Sequence, residues 1–188
     1  MDMRDQILAS AQRLVQQRGF NGFSYADIAA EVGIRKASLH HHFPTKTDLG
    51  QALIEVYSEQ LNSALMGIGS SSLPTYEKLD AYIDLYRCSL EADRMCLGGM
   101  LASEALTLDA AMLPSLRRFF IRNTEWLTEI LSEGESQQLF MLSGSAAGHA
   151  RMLLSALQGA LLIARATGDH EAFEQTASSL VTGLTRKG

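Results

Sequence analysis

The stretch that decides the fold is residues 19–46, G-F-N-G-F-S-Y-A-D-I-A-A-E-V-G-I-R-K-A-S-L-H-H-H-F-P-T-K. Two short helices fit into it. Ser24 is a capping residue type, the following run reaches Val32 through Ile28 and Ala29, and Gly33 stops it. A second helix spans roughly Arg35 to His42, and Pro44 ends it. Between the two lies Val32-Gly33-Ile34-Arg35, a turn whose glycine can take the positive φ such links often need. Upstream, Ile7, Ala11, Leu14, Val15 and Arg18 recur at helical spacing and predict a first helix closed by Gly19. Three helices in this order predict a helix-turn-helix.

The side chains sort accordingly. Ala29 is small and lets the second short helix approach. Ile28, Val32, Ile34 and Leu39 are expected to pack the pair, with Phe20, Phe23 and Phe43 sealing it against the first helix. Arg35, Lys36, Ser38, His40 and His41 are then left on the outer side. A two-turn helix with such a polar face fits a major groove, where its N-terminal residues reach base edges. The triplet His40-His41-His42 is expected to hold no metal, because successive helical residues point about 100° apart and cannot share one ion. His42 is expected to turn partly inward.

The same stretch resembles the DNA-binding domain of the TetR/AcrR family of transcription regulators. Gly19, Phe20, Ser24, Asp27, Ile28, Ala29, Gly33, His42, Phe43 and Lys46 match that family's pattern. Two positions depart from it: His40 stands where the family usually has a tyrosine that contacts the DNA backbone, and Arg35 stands where Ser is common. The resemblance implies that Ser24, Tyr25, Thr45 and Lys46 hold phosphates. Helix N-termini favour anions independently of it. Arg35, Lys36, Ser38 and His41 are the base-reading candidates, and His40 a further DNA contact. A second run, Cys96-Leu97-Gly98-Gly99-Met100-Leu101-Ala102-Ser103-Glu104, is similar to one in a subgroup responding to small drug-like or electrophilic compounds; Met95 replaces the glycine usual before the cysteine.

Downstream the period stays helical. Thr45 is expected to cap a long helix carrying Leu49, Leu53, Val56, Tyr57, Leu61 and Leu65, followed by a loop from Gly67 to Pro74. Leu79 to Leu90 reads as a helix, and Gly98-Gly99 as a weak point before or within one at Met100 to Leu108. Pro114 suits the first turn of a helix from Leu116 to Leu131, with a polar loop at Glu133 to Gln138. An apolar helix from about Ser143 to Thr167 ends at the turn Gly168-Asp169, and a last one carries Phe173, Ala177, Leu180, Val181 and Leu184. No useful β alternation occurs. The expectation is an all-α chain of about nine helices, with a helix-turn-helix domain over residues 1–48 and a larger helical effector-binding and dimerisation domain over 49–188.

Composition agrees. Of 188 residues, 46% are hydrophobic and 20% charged, which suits a globular chain and excludes a disordered tail. The net charge of −5 excludes a uniformly basic nucleic-acid coat. It is unevenly spread: residues 1–48 carry +1 and the remaining 140 carry −6. Cys88 and Cys96 are too few for a disulfide scaffold and fit a reducing cytoplasm. The uncharged run Met152 to Ala164, bracketed by Arg151 and Arg165, is short for a bilayer span, so no membrane is expected as partner.

The sequence holds no H-E-x-x-H, di-iron E-x-x-H, G-x-x-x-x-G-K-[ST], G-x-G-x-x-G or G-x-S-x-G, so no catalytic residues and no cofactor are expected. Tyr86, Cys96, Trp126 and His149 are candidates to line an effector pocket, which wants apolar walls and a few polar fixtures. Cys96 reads either as a small buried hydrophobe or as a reactive thiol. The small-residue stripe from Gly144 to Ala160 and the last helix can build a four-helix bundle across a two-fold axis, as the family resemblance implies. The expected partners are double-stranded operator DNA, a small-molecule effector and a second copy of the chain. A helical carrier or scaffold without specific DNA binding is the alternative.

Overall fold

The structure is a computed structural model that describes residues 2–185. Among the described residues it holds nine α-helices, one 3-10 turn and a single isolated bridge, Phe140 to Thr185. The all-α architecture is as expected. The chain forms two compact units, one built from residues up to Leu61 with Arg94–Phe119, the other from Asn62–Asp93 with the chain from Phe120 onward.

The first unit holds α1 (Met3–Arg18), α2 (Tyr25–Val32), α3 (Lys36–His42), the first part of α4 (Lys46–Ser70), α6 (Leu97–Ser103), the 3-10 turn (Ala110–Met112) and the start of α7 (Leu113–Ser136). Asp2 and Asp5 cap α1 reciprocally. Its apolar stripe, Ile7, Leu8, Ala11, Leu14 and Val15, is buried with Ile28, Leu39, Leu49 and Leu53. Phe20, Phe23 and Phe43 are buried as well, while Val32 and Ile34 are half-buried. Gly33 sits at φ +75°, and both its amide and that of Ile34 return to the Ala29 carbonyl oxygen. A side chain there would strain the turn that separates α2 from α3.

The second unit holds the rest of α4, α5 (Thr75–Glu91), most of α7, α8 (Ala146–Thr167) and α9 (His170–Leu184). On α8, Leu153, Leu154, Leu157, Leu161 and Ala164 are buried. Its opposite side leaves Met152 49%, Leu162 49% and Ile163 60% exposed. By length and apolar content α8 could cross a membrane. It carries Arg151 and Arg165 within its length, and its buried stripe packs inside this unit.

Three helices have bounds that differ from expectation. α4 continues through Gly67 and Gly69 to Ser70, leaving only a short link before α5. α6 starts at Leu97 rather than Met100 and ends at Ser103 rather than Leu108; it includes Gly98, where a Cβ would meet the Phe119 ring at 2.3 Å. α7 runs on to Ser136, where Glu133 accepts from the Thr75 hydroxyl at 3.0 Å and from Gln137 Nε2 at 3.1 Å.

Candidate nucleic-acid interface

Two helix starts in the first unit are built alike. At α2, the Ser24 amide and hydroxyl both donate to Asp27 Oδ2, at 2.7 and 2.6 Å. These bonds hold the exposed Asp27 carboxyl below its ordinary range. At α4, the Thr45 amide and hydroxyl donate to Asp48 Oδ2 at 2.8 and 2.7 Å, and the Asp48 amide returns to Thr45 Oγ1 at 3.1 Å. Each carboxylate satisfies the first turn and complements the helix dipole.

Between these starts lies α3, seven residues long. Leu39 alone on it is fully buried, so it anchors the helix to the unit's core. Arg35, Lys36, Ser38, His40 and His41 are all exposed, as expected, and His42 is half-buried. The His40 ring packs 4.7 Å from the Tyr25 ring, and its Nδ1 lies 3.1 Å from the Pro44 carbonyl oxygen. Arg4 covers the Phe43 ring from the N-terminal side, 5.5 Å from its centroid.

Tyr25 and Lys46, the other two expected phosphate contacts, are turned toward the unit. Tyr25 is buried, and its hydroxyl lies 2.9 Å from the Phe43 carbonyl oxygen and 2.6 Å from that of Thr45. Burial, helped by the Asp48 charge, pushes its pKa up to about 12, so it stays a neutral donor. The Lys46 ammonium donates to the carbonyl oxygens of Phe20 at 2.6 Å and Phe23 at 2.5 Å. It also sits over both rings, 4.9 and 4.2 Å from their centroids. Burial lowers its pKa against the pull of Glu104 and Asp27. In this conformation both side chains tie the α1–α2 link and the α3–α4 link to the unit and are turned inward.

Glu104 closes the run from Cys96 noted in the sequence, but no role is expected of it there. Its carboxylate accepts from the amides of Phe20 at 2.6 Å and Asn21 at 3.0 Å, and Asn21 Nδ2 donates to Thr107 Oγ1 at 2.8 Å. Gly19, at φ +83°, brings the chain to it: a Cβ there would stand 3.0 Å from Glu104 Oε1. The residue after α6 thus fixes the turn that leads into the helix-turn-helix.

The effector candidates separate. Tyr86 and Trp126 come together around Tyr82 in the second unit. The Tyr82 ring stacks on Trp126 with centroids 5.5 Å apart, and its hydroxyl donates to Asn123 Oδ1 at 2.8 Å and lies 3.1 Å from the Tyr86 hydroxyl. Gln158 Nε2 donates to the Tyr86 hydroxyl at 3.3 Å, while Gln158 Oε1 is buried without a partner. Asn123 and Gln158 are further members of this cluster; a buried Asn on the apolar stripe of α7 was the available signal. His149 rests against the Ser145 carbonyl oxygen, 3.3 Å away, in the first turn of α8. Cys96 belongs to the first unit, buried, with the Tyr57 hydroxyl 3.7 Å from its sulfur.

A capped α2, a glycine turn and an α3 with one buried anchor and a polar outer side define a helix-turn-helix protein. The pattern of the family described as bacterial regulatory proteins, tetR family, matches residues 7–53. A solved structure of a TetR-family transcriptional regulator from Agrobacterium tumefaciens is 34% identical, covers 97% of each chain and superposes with a TM-score of 0.93. The chain therefore belongs to the TetR family. It is also 34% identical over 64 residues to the negative transcriptional regulator IcaR of the biofilm operon icaADBC from Staphylococcus aureus, a match that spans 34% of either chain. The transcriptional repressor NemR of Escherichia coli is 24% identical over 179 residues, covering 92% of this chain and 89% of NemR.

Proposed function

We propose that this chain is a ligand-responsive transcriptional repressor that binds a pseudo-palindromic DNA operator as a homodimer in the cytoplasm. The observation that carries the reading is the polar outer side of α3, with Arg35, Lys36, Ser38 and His41 exposed around one buried anchor, Leu39. In this reading those four residues reach base edges, where an aligned Arg or Lys discriminates by about 1–3 kcal/mol. Ser24, Thr45 and His40 lie against phosphates, and Tyr25 and Lys46 hold the helix starts in place behind them. Residues 1–48 are the reader and 49–188 the sensor. No catalytic role is assigned.

The exposed apolar side of α8, with Met152, Leu162 and Ile163, supports a dimer built from α8 and α9 across a two-fold axis. The cluster of Tyr82, Tyr86, Asn123, Trp126 and Gln158 supports an effector site in the same unit: aromatic walls, a few polar fixtures and one unused acceptor. An effector bound there favours a conformer that does not fit the operator, so effector and operator weaken each other's binding by the same factor. DNase footprinting on the region upstream of the chain's own gene tests the dimer reading. The expected result is protection of an inverted repeat with half-sites about one helical turn, 34–36 Å, apart. Protection of one isolated half-site would contradict it.

A further inference from the structure

The first unit holds a cleft of about 450 Å³ that the DNA-reading face does not use. α1 supplies one wall with Asp5, Leu8, Ala9, Gln12, Arg13 and Gln16; α4 supplies the other with Val56 and Gln60. Gln12 Nε2 reaches Gln60 Oε1 at 3.4 Å across it. Arg94, just before α6, closes one end. The charges in this cleft are not equivalent. Arg13 is paired with Glu31, and Asp5 is engaged with Asp2 in the α1 cap. Arg94 is half-buried, and its Nε is sealed from solvent without a hydrogen-bond partner.

Among the described residues no ion pair or hydrogen bond engages the Arg94 guanidinium, which lines the cleft, and a carboxylate entering there matches its fork. Next to it the cleft offers apolar surface from Leu8, Ala9 and Val56. We infer that this cleft binds a small molecule carrying a carboxylate on a short apolar body, with the carboxylate on Arg94 and the body between α1 and α4. Such a ligand bridges α1 and α4 directly. The segment it touches is already tied to α1, since Gln16 Nε2 donates to the Met95 carbonyl oxygen at 3.0 Å and the Met95 amide to that of Gln16 at 3.0 Å.

Calorimetric titration of the full chain with hexanoate, hexan-1-ol and inorganic phosphate tests the assignment. Hexanoate is expected to bind, with the alcohol and phosphate each at least about tenfold weaker, since a charge-assisted bond is lost in one case and apolar burial in the other. Arg94→Met should weaken hexanoate by about tenfold or more. Ala9→Trp fills the cleft from an exposed position and should do the same, which keeps the test decisive if Arg94→Met does not fold. No hexanoate binding, equal binding of the alcohol or of phosphate, or unchanged affinity in Ala9→Trp would overturn the inference. These titrations contain no DNA, so their outcome is independent of whether the chain reads an operator.

Discussion

Lys46 holds its ammonium on two carbonyl oxygens and over two rings, a set of contacts worth more than one exposed phosphate contact at the same place. Hydrogen bonds to a charged group contribute about 1.5–3 kcal/mol each, so Lys46→Ala is expected to cost about 2 kcal/mol or more in chemical denaturation. The salt dependence of duplex binding should then stay as in the wild type. A slope flatter by about 0.9 would place Lys46 on a phosphate instead. Lys36 is the opposite case: it is exposed, so Lys36→Ala should leave stability unchanged and relax preference at one base pair by about 1–3 kcal/mol. A uniform loss over all sequences, read by competition with a duplex library, would remove it from the base-reading set. The exposed residues of α3 were legible in the sequence because one apolar position, Leu39, orients so short a helix. The inward turn of Tyr25 and Lys46 was not, because their partners are main-chain carbonyls that only the folded links bring near.

At the scale of the elements, the two Ser/Thr-to-Asp caps define where α2 and α4 begin. Asp27 has its folded-state pKa below the ordinary 3.8, through its bonds to Ser24. A depressed carboxylate contributes stability above its unfolded pKa and loses it as pH falls through the folded value. The stability difference between wild type and Asp27→Asn is therefore expected at pH near 7 and should vanish well below 3.8. Urea midpoints measured across that range check it, and a difference that persists in acid would show that charge is not what Asp27 supplies. The same cap signals made the starts of α2 and α4 readable from the sequence. Glycine was the weaker guide. Gly67 and Gly69 read as breakers, yet α4 passes through both. A glycine in a helix costs only about 1 kcal/mol relative to Ala, which tertiary packing overrides. At Gly69 a Cβ would stand 3.3 Å from Trp126 Nε1, so the missing side chain admits the indole. Such approaches are invisible until both helices are placed.

For the whole molecule, the uneven charge is the sequence feature that the proposed division of labour uses. Residues 1–48, at +1, face phosphate in this account, while the other 140, at −6, carry the aromatic cluster and the exposed side of α8. Of the effector candidates, Tyr86 and Trp126 share a cluster in one compact unit and Cys96 belongs to the other, a division that chain order does not reveal. α6 and the turn after it pack in the unit that holds the helix-turn-helix, where Glu104 fixes the Phe20 and Asn21 amides. The central claim is sequence-specific DNA binding through α3. Its most direct test is titration of the full chain against a labelled duplex from the region upstream of its own gene and a scrambled duplex of equal length, at stepped salt. Binding to the first is expected to be tighter by roughly 10³-fold or more, weakening steeply as salt rises. Weak binding of equal strength to both duplexes would contradict it.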